Sequence, residues 1–229
     1  MAPEGRRLSF TPGQFVFVTF GSTAMSKEFH ALTHKSAGES EMMTFRAGAV
    51  ANQWHPFSIT SSPSEPELRI AVKEVGDFTS ALHWLEKDAE ARVEGPYGAF
   101  SHLRIPNARQ IWLAGGIGIT PFLSMARSLD SPGYQIDLYY GMEHDDEGYF
   151  LQELAGIGES YPGLRVIPWQ RNERGFITSE AVDRISGRLA DGWDFLICGP
   201  PAMIDNLTRQ LRTAGVPDSR IHFEKFGFV

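Results

Sequence analysis

Gln110-Ile-Trp-Leu-Ala-Gly-Gly-Ile-Gly-Ile-Thr-Pro-Phe-Leu-Ser-Met-Ala126 decides the fold. An apolar strand-like run, Gln110 to Ala114, passes without a linker into Gly115-Gly116-Ile117-Gly118-Ile119-Thr120-Pro121. A helical pattern follows, with Phe122, Met125, Ala126 and Leu129 on one face, Thr120 as the expected N-cap and Pro121 in the first turn. Glycines in a strand-to-helix turn let the backbone approach a pyrophosphate, whose charge is favoured by the first amides of the helix and by its dipole. The same glycines would serve a plain tight turn needing positive φ, and Pro121 stands where the usual dinucleotide fingerprint has its third glycine.

Downstream, apolar runs continue to alternate with helical patterns, as in a parallel sheet covered by helices. Strands are expected at Gln110 to Ala114, Gln135 to Tyr140, Leu164 to Pro168 and Trp193 to Cys198. The last helix starts at Pro201, repeats Met203, Leu207 and Leu211, and stops at Gly215. Upstream the pattern differs. Gln14 to Phe20 reads as a strand after the turn Pro12-Gly13, and shorter strands are expected at Pro56 to Thr60, Leu68 to Lys73 and Ala91 to Glu94. Gly21 to Asn52 has no sustained period and reads as a long loop insertion with one short strand at Met42 to Phe45. The expected architecture is a small antiparallel β-barrel over residues 1–106, followed by a doubly wound parallel-sheet α/β domain over residues 107–229, with the boundary near Arg104 to Arg109.

At about 150 residues per domain, 229 residues suit one large or two compact units. Hydrophobic residues at 42% and charged residues at 21% exclude a disordered, collagenous or coiled-coil chain. A net charge of -7 has the wrong sign for tracking phosphates, so a nucleic-acid partner is not expected. The most apolar stretch, Ile111 to Ala126, is broken by glycines and Pro121, so no membrane span is expected. The single cysteine, Cys198, excludes an internal disulfide, a four-cysteine zinc site and a four-cysteine iron-sulfur cluster, so no metal site is assigned and a cytoplasmic location is expected.

Further motifs surround the glycine turn: His55-Pro56-Phe57-Ser58, Val72-Lys73 with Gly76-Asp77-Phe78-Thr79, Gly95-Pro96-Tyr97-Gly98, Cys198-Gly199-Pro200-Pro201-Ala202-Met203, and Phe223-Glu224-Lys225-Phe226-Gly227-Phe228. Singly each has an ordinary reading as an edge strand, a capped surface helix, a turn, an inert core cysteine or a last buried strand. Together, over nearly the whole chain, they resemble the ferredoxin reductase superfamily, in particular its ferric-reductase and NADPH-oxidase-like branch. The resemblance implies a flavoprotein that moves a hydride from NADH or NADPH to FAD, then electrons to an external acceptor. It places the Ser58 hydroxyl near the flavin reacting edge and Phe57 along the flavin. Val72, Lys73, Gly76, Asp77, Phe78 and Thr79 would lie at the FAD diphosphate, and Gly115, Gly116, Gly118, Ile119, Thr120 and Pro121 at the nicotinamide nucleotide. Cys198, Gly199, Pro200 and Met203 would line the nicotinamide slot, and Phe226, with Phe228 in reserve, would cover the flavin. Ser58, Cys198 and Phe226 are thus the residues expected at the reacting atoms, with His55 and Pro56 in the flavin strand.

Two departures bear on cofactors. The usual arginine before the flavin-strand aromatic is absent, with His55 two positions upstream of Phe57. Only about eleven residues precede Pro12 where family members have one or two strands, so the barrel is expected to lack its first strands. Met142, Glu143, His144, Asp145, Asp146 and Glu147 follow the second nucleotide-domain strand, and acidic residues there favour a ribose diol over a 2′-phosphate. That leans slightly to NADH, although Arg171 and Arg174 lie after the third strand. Candidate acceptors are a ferric chelate, a membrane haem protein at the inner face of a membrane, an oxygenase component, a quinone or dioxygen. A flavin reductase with dissociable flavin and a non-catalytic nucleotide-sensing electron-transfer subunit remain open at this stage.

Overall fold

Alternation along Phe15–Phe20 (β1) sends Val16, Val18 and Phe20 into a small core and Phe15 and Phe17 to the other face. The computed structural model describes residues 8–21, 52–85, 87–130, 133–144, 147–187, 189 and 192–225, with the backbone of 28–35 and 39–46. Glu28–Lys35 (β2) and Glu39–Arg46 (β3) form an antiparallel hairpin in the register Lys35 to Glu39. This corrects the expected loop over residues 28–35, whereas the short strand expected at Met42 to Phe45 lies within β3. Neither alternate set of residues in Glu28–Lys35 is uniformly apolar, so the period of two is diluted. Strand β1 pairs antiparallel on one side with His55–Ser58 (β4), Phe15 facing Ser58, and on the other with Ala91–Tyr97 (β5). Under this sheet Ile59 and Phe78, from the short helix Asp77–Ala81 (α1), pack against Val16, Val18 and Phe20.

The expected strand at Leu68 to Lys73 is reduced to one bridge, Ile70 to Ile59. Arg69 instead donates its N–H to the Ser61 hydroxyl and accepts from the Thr60 N–H, so a side chain takes the place of a ladder bond.

From Arg109 onward the chain builds one parallel sheet in the order β10-β9-β6-β7-β8: Ile221–Glu224, Asp194–Cys198, Arg109–Gly115, Gln135–Met142 and Leu164–Gln170. Ile111 to Ala114 and Phe195 to Cys198 are wholly buried, as continuous apolar runs must be when helices cover both faces. Thr120–Ala126 (α2) and Leu151–Ser160 (α3) cover one face, packing Ile119, Phe122, Leu123, Met125 and Leu154 against Trp112, Leu138 and Leu196. Past the short turn of helix Arg171–Arg174 (α4), Ser179–Ser186 (α5) and Pro201–Thr213 (α6) cover the other, packing Val182, Ile204, Leu207 and Leu211 against Ile111, Leu113, Phe195 and Ile197. Strand order reverses between β6 and β9, and ligands of open α/β sheets bind outside the carboxyl ends of strands at that point. Among the described residues no helix is long and apolar enough to cross a membrane.

Just before β6, His102 is fully buried between Trp112 and Tyr134, with ring centroids 5.8 and 5.1 Å away. Neither ring nitrogen has a hydrogen-bond partner among the described residues, and burial pushes the ring down to about 4 against a smaller opposing pull from Asp130. The unfolded chain therefore binds a proton between about pH 6.5 and pH 4 that the folded chain refuses, so stability is complete above that window and falls as pH drops through it. His102→Phe should remove up to about 3 kcal/mol of this acid-side loss. Urea unfolding of both proteins at pH 7 and pH 4.5 checks it, and an equal loss in both would refute it.

Candidate active site

The two glycine-bearing turns that end β6 and β9 are pressed together. A Cβ on Gly118 would overlap the Cys198 carbonyl oxygen and stand 2.6 Å from its carbon and 2.7 Å from Gly199 Cα. A Cβ on Gly199 would stand 3.1 Å from both the N and the Cα of Gly115, and one on Gly115 would strike the Met203 sulfur and lie 3.0 Å from Pro200. Gly115, Gly118, Cys198, Gly199, Pro200 and Met203, which the sequence scatters over some ninety positions, thus form one floor at the switch point. Gly116 differs: its φ is +53° and nothing lies within 4 Å of where its Cβ would be, so it faces open space. Thr120 is not the N-cap expected from sequence. The turn Gly116–Ile119 is already a tight helix, Thr120 has helical φ and ψ, and its hydroxyl donates to the Ile117 carbonyl at 3.0 Å. Ile119, Thr120 and Pro121 are all buried beneath the turn.

The other half contributes β4 and the loop to α1. His55 stacks on Phe78 at 3.7 Å between centroids, with Phe57 6.3 Å from the same ring. Burial lowers the His55 pKa, which favours the neutral ring. Phe78 is therefore a core residue beneath β4, its side chain buried and turned away from the loop expected at the diphosphate. Within that loop Val72 is half-buried, while Lys73, Gly76 and Asp77 are exposed. Lys73 has no hydrogen bond or ion pair to any described residue, and nothing lies within 4 Å of a Cβ on Gly76. The Thr79 hydroxyl is used locally: it accepts from the Val75 and Gly76 N–H groups and donates to the Gly76 carbonyl. Pro56 is exposed, and Ser58 is buried with its hydroxyl bonded to no described residue.

A chain of contacts joins the two halves. Ser58 lies opposite Phe15 in the sheet. Phe15's ring stands 3.1 Å, and the Glu224 carboxylate 3.6 Å, from where a Cβ on Gly98 would be. Glu224 in turn pairs with Cys198 across β10 and β9. Burial pushes the Glu224 carboxyl up to about 7, and burial together with Glu224 pushes the Cys198 thiol well above its ordinary value. Cys198 is therefore a neutral thiol that shapes the slot and has no thiolate reactivity to offer. Sequence reasoning passed over Glu224, reading Phe223 to Phe228 for its aromatic rings. The signal was a carboxylate one residue past an apolar strand position, beside the strand that ends in Cys198. Phe226 and Phe228 lie outside the described residues. Lys225, the last one described, pairs with Asp205 on α6 at 2.7 Å.

At the ends of β7 and β8, Arg171 pairs with Glu143, holding that carboxyl below its usual range, and Asn172 contacts His144 at 3.4 Å. Glu147 accepts from the Glu143 N–H at 3.0 Å, whereas Asp145 and Asp146 lie outside the described residues. Arg174 lies over Trp169, 5.4 Å from its centroid.

The two glycines predict different costs. Gly116→Ala meets no atom and should cost about 1–2 kcal/mol of left-handed backbone strain, whereas Gly118→Ala must part the two turns and should cost more than the usual 1–3 kcal/mol of overpacking. Urea unfolding midpoints of the two variants check this order.

Two family models match the chain: an FAD-binding domain over residues 25–101 and an oxidoreductase NAD-binding domain over residues 112–209. The reductase subunit of an aromatic O-demethylase from an Amycolatopsis species is 30% identical over 214 residues, 82% of this chain and 63% of the relative. The ferredoxin–NAD(P)(+) reductase component of a Ralstonia naphthalene 1,2-dioxygenase/salicylate 5-hydroxylase system is 25% identical over 98% of this chain and 73% of its own length. The chain spans from 52% to 73% of the length of such curated relatives. Among solved structures, a ferredoxin NADP+ reductase from Neisseria gonorrhoeae superposes with a TM-score of 0.67 at 18% identity, over 96% of this chain and 89% of the other. An antiparallel FAD-binding unit runs ahead of a parallel-sheet NAD-binding unit on one chain, with the ferredoxin reductase fold around both; the chain belongs to the ferredoxin reductase superfamily.

Proposed function

We propose that the chain is an NAD(P)H-dependent flavoprotein oxidoreductase that holds FAD on its first hundred or so residues, receives hydride from a nucleotide bound at the β6 and β9 ends, and passes electrons to a separate protein. The observation that carries this is the meeting of the two halves at Gly98: Phe15, which faces Ser58, and Glu224, which pairs with Cys198, stand 3.1 and 3.6 Å from where a Cβ on Gly98 would be. The residues present fit the cofactors: Gly76 and Gly116 leave open space where a Cβ would stand, and among the described residues neither the Lys73 ammonium nor the Ser58 hydroxyl has a partner. FAD, when bound, accepts two electrons as hydride and releases them singly. The protein's part is placement and exclusion of water, and no side chain needs to act as acid or base in the transfer itself.

We assign the boundary between the two functional units to the linker near residue 106. The division of labour follows: Val72, Lys73, Gly76, Asp77 and Thr79 hold the FAD diphosphate, with His55, Pro56, Phe57 and Ser58 along the flavin. The narrower placement in the ferric-reductase-like branch rests on the His55-Pro56-Phe57-Ser58 segment. A cytosolic setting accords with the single buried free thiol, Cys198. The acceptor we favour is an oxygenase or ferredoxin component, because the relatives are named as reductase parts of such systems. For the donor we favour NADH, because Arg171, which could have met a 2′-phosphate, is already paired with Glu143.

Anaerobic titration of the FAD-reconstituted protein tests the reading. NADH should bleach the flavin absorbance, and faster than NADPH at equal subsaturating concentration. Retained flavin that neither nucleotide bleaches would overturn the function, and a faster NADPH would overturn the donor preference. Reoxidation by ferric citrate matching that by a ferredoxin would shift the acceptor to a chelate. Glu224 adds a pH signature. An ionised carboxylate opposes negative charge arriving in the slot, so the bleaching rate should fall as pH rises through about 7. Glu224→Gln should flatten that inflection, and an unchanged profile would remove Glu224 from the site.

A further inference from the structure

We propose that Arg127, oriented by Glu153, is a positioning residue that sets the separation between the strand carrying Ser58 and the turn carrying Gly115 to Thr120. The inference rests on the oxidoreductase reading above. Hydride transfer across two rings held by different parts of the chain needs their spacing fixed to well under 1 Å, since a displacement of that size costs on the order of 100-fold in rate. Something must therefore hold the two parts in register.

Arg127 stands at that junction. It caps α2, a helix buried along its whole length that starts at the nucleotide turn. Its Nη1 donates to the carbonyl of Thr60 at 2.7 Å, two residues past Ser58. Its Nε and Nη2 donate to the two carboxylate oxygens of Glu153 on α3, at 2.6 and 3.0 Å. The Arg127 side chain is 14% exposed and that of Glu153 39%. The bidentate grip fixes the guanidinium plane, and the planar fork then leaves Nη1 aimed in one direction, at Thr60. Ser124 and Ser128, four residues apart on either side of it, reach the same facing segment. Ser124 donates to the Ser61 carbonyl at 2.7 Å, and Ser128 Oγ lies 3.3 Å from Ser62 Oγ. The facing segment Thr60 to Ser62 is almost wholly buried, so it has little freedom to shift while these bonds hold.

A lysine could not replace Arg127. Its ammonium is a point donor without the fork, so it can reach the carbonyl or the carboxylate but cannot fix one by means of the other. Glu153 touches neither half of the site and acts only through Arg127.

The test uses the full chain reconstituted with FAD and compares the parent with Arg127→Met, Arg127→Lys and Glu153→Gln by anaerobic stopped flow at saturating NADH. Flavin retention, the Kd for NAD+ and the Tm are measured alongside. Arg127→Met should keep FAD and bind NAD+ within about threefold of the parent, while its saturated bleaching rate drops about 10- to 100-fold. Arg127→Lys should stay with Arg127→Met, and Glu153→Gln should slow bleaching by at least about threefold with NAD+ affinity unchanged. A merely structural role would lower the Tm or the flavin content while the flavin-loaded fraction bleaches at the parent rate, and that result overturns the proposal. Should Arg127→Met fail to fold, Glu153→Gln decides alone, an unchanged saturated rate overturning the proposal. A parent that keeps FAD but never bleaches overturns the oxidoreductase reading and this inference with it. A bleaching parent with unchanged variants overturns the positioning role alone.

Discussion

Gly118 against the Cys198 carbonyl is the contact on which the rest of the site depends. Two parallel strands adjacent in the sheet must both end in turns that reverse the chain onto opposite faces, β6 into α2 and β9 into α6. Side chains on both turns would hold the strand ends apart and open the floor of the crevice. With Gly115, Gly118 and Gly199 at the meeting points, backbone packs on backbone, and the Met203 sulfur closes the remaining gap. The open face of Gly116 is presented outward with no side chain over it, which is what an approaching phosphate or ring requires.

Burial of titratable groups follows from the same closeness. Cys198 ends a fully buried strand, and Glu224 is drawn beside it because β10 must pair with β9 to complete the sheet. Among the described residues neither group has a cation as a partner, so desolvation raises both pKa values and leaves a neutral thiol next to a carboxyl poised near neutral pH. His102 obeys the same rule with the opposite sign of charge: burial holds it neutral and transfers its cost to acid stability.

The nucleotide half was legible because its signals are local and redundant. The four expected parallel strands appear with bounds shifted by one or two residues, and α6 starts at Pro201 as its sequence demands. The doubly wound arrangement follows from apolar runs too long to be half-buried. What sequence did not reveal depends on partners far along the chain. The β2 and β3 hairpin has no uniformly apolar face to mark it, and the stretch around Leu68 joins the sheet through the Ser61 hydroxyl in place of a ladder. Phe78 was grouped with the diphosphate loop on motif grounds, yet its ring packs in the core with Val16, Val18, Phe20 and Ile59. Glu224 was hidden for a related reason: a carboxylate between Phe223 and Lys225 gives no sign of burial until β9 is placed beside it.

Arg127 shows why such residues escape motif reading altogether. It belongs to no glycine turn, and in sequence it is an arginine following an alanine near the end of a helix, where a cation is expected for the dipole alone. Only the fold brings Thr60 and Glu153 to opposite sides of one guanidinium. A two-part site concentrates recognition in loops that each part can carry alone, but it leaves the distance between them to side chains at the junction. Those side chains contact no cofactor-binding residue directly, so selection on them acts through geometry. Two parts correct in every residue would still react slowly if the junction between them were loose by a fraction of an ångström.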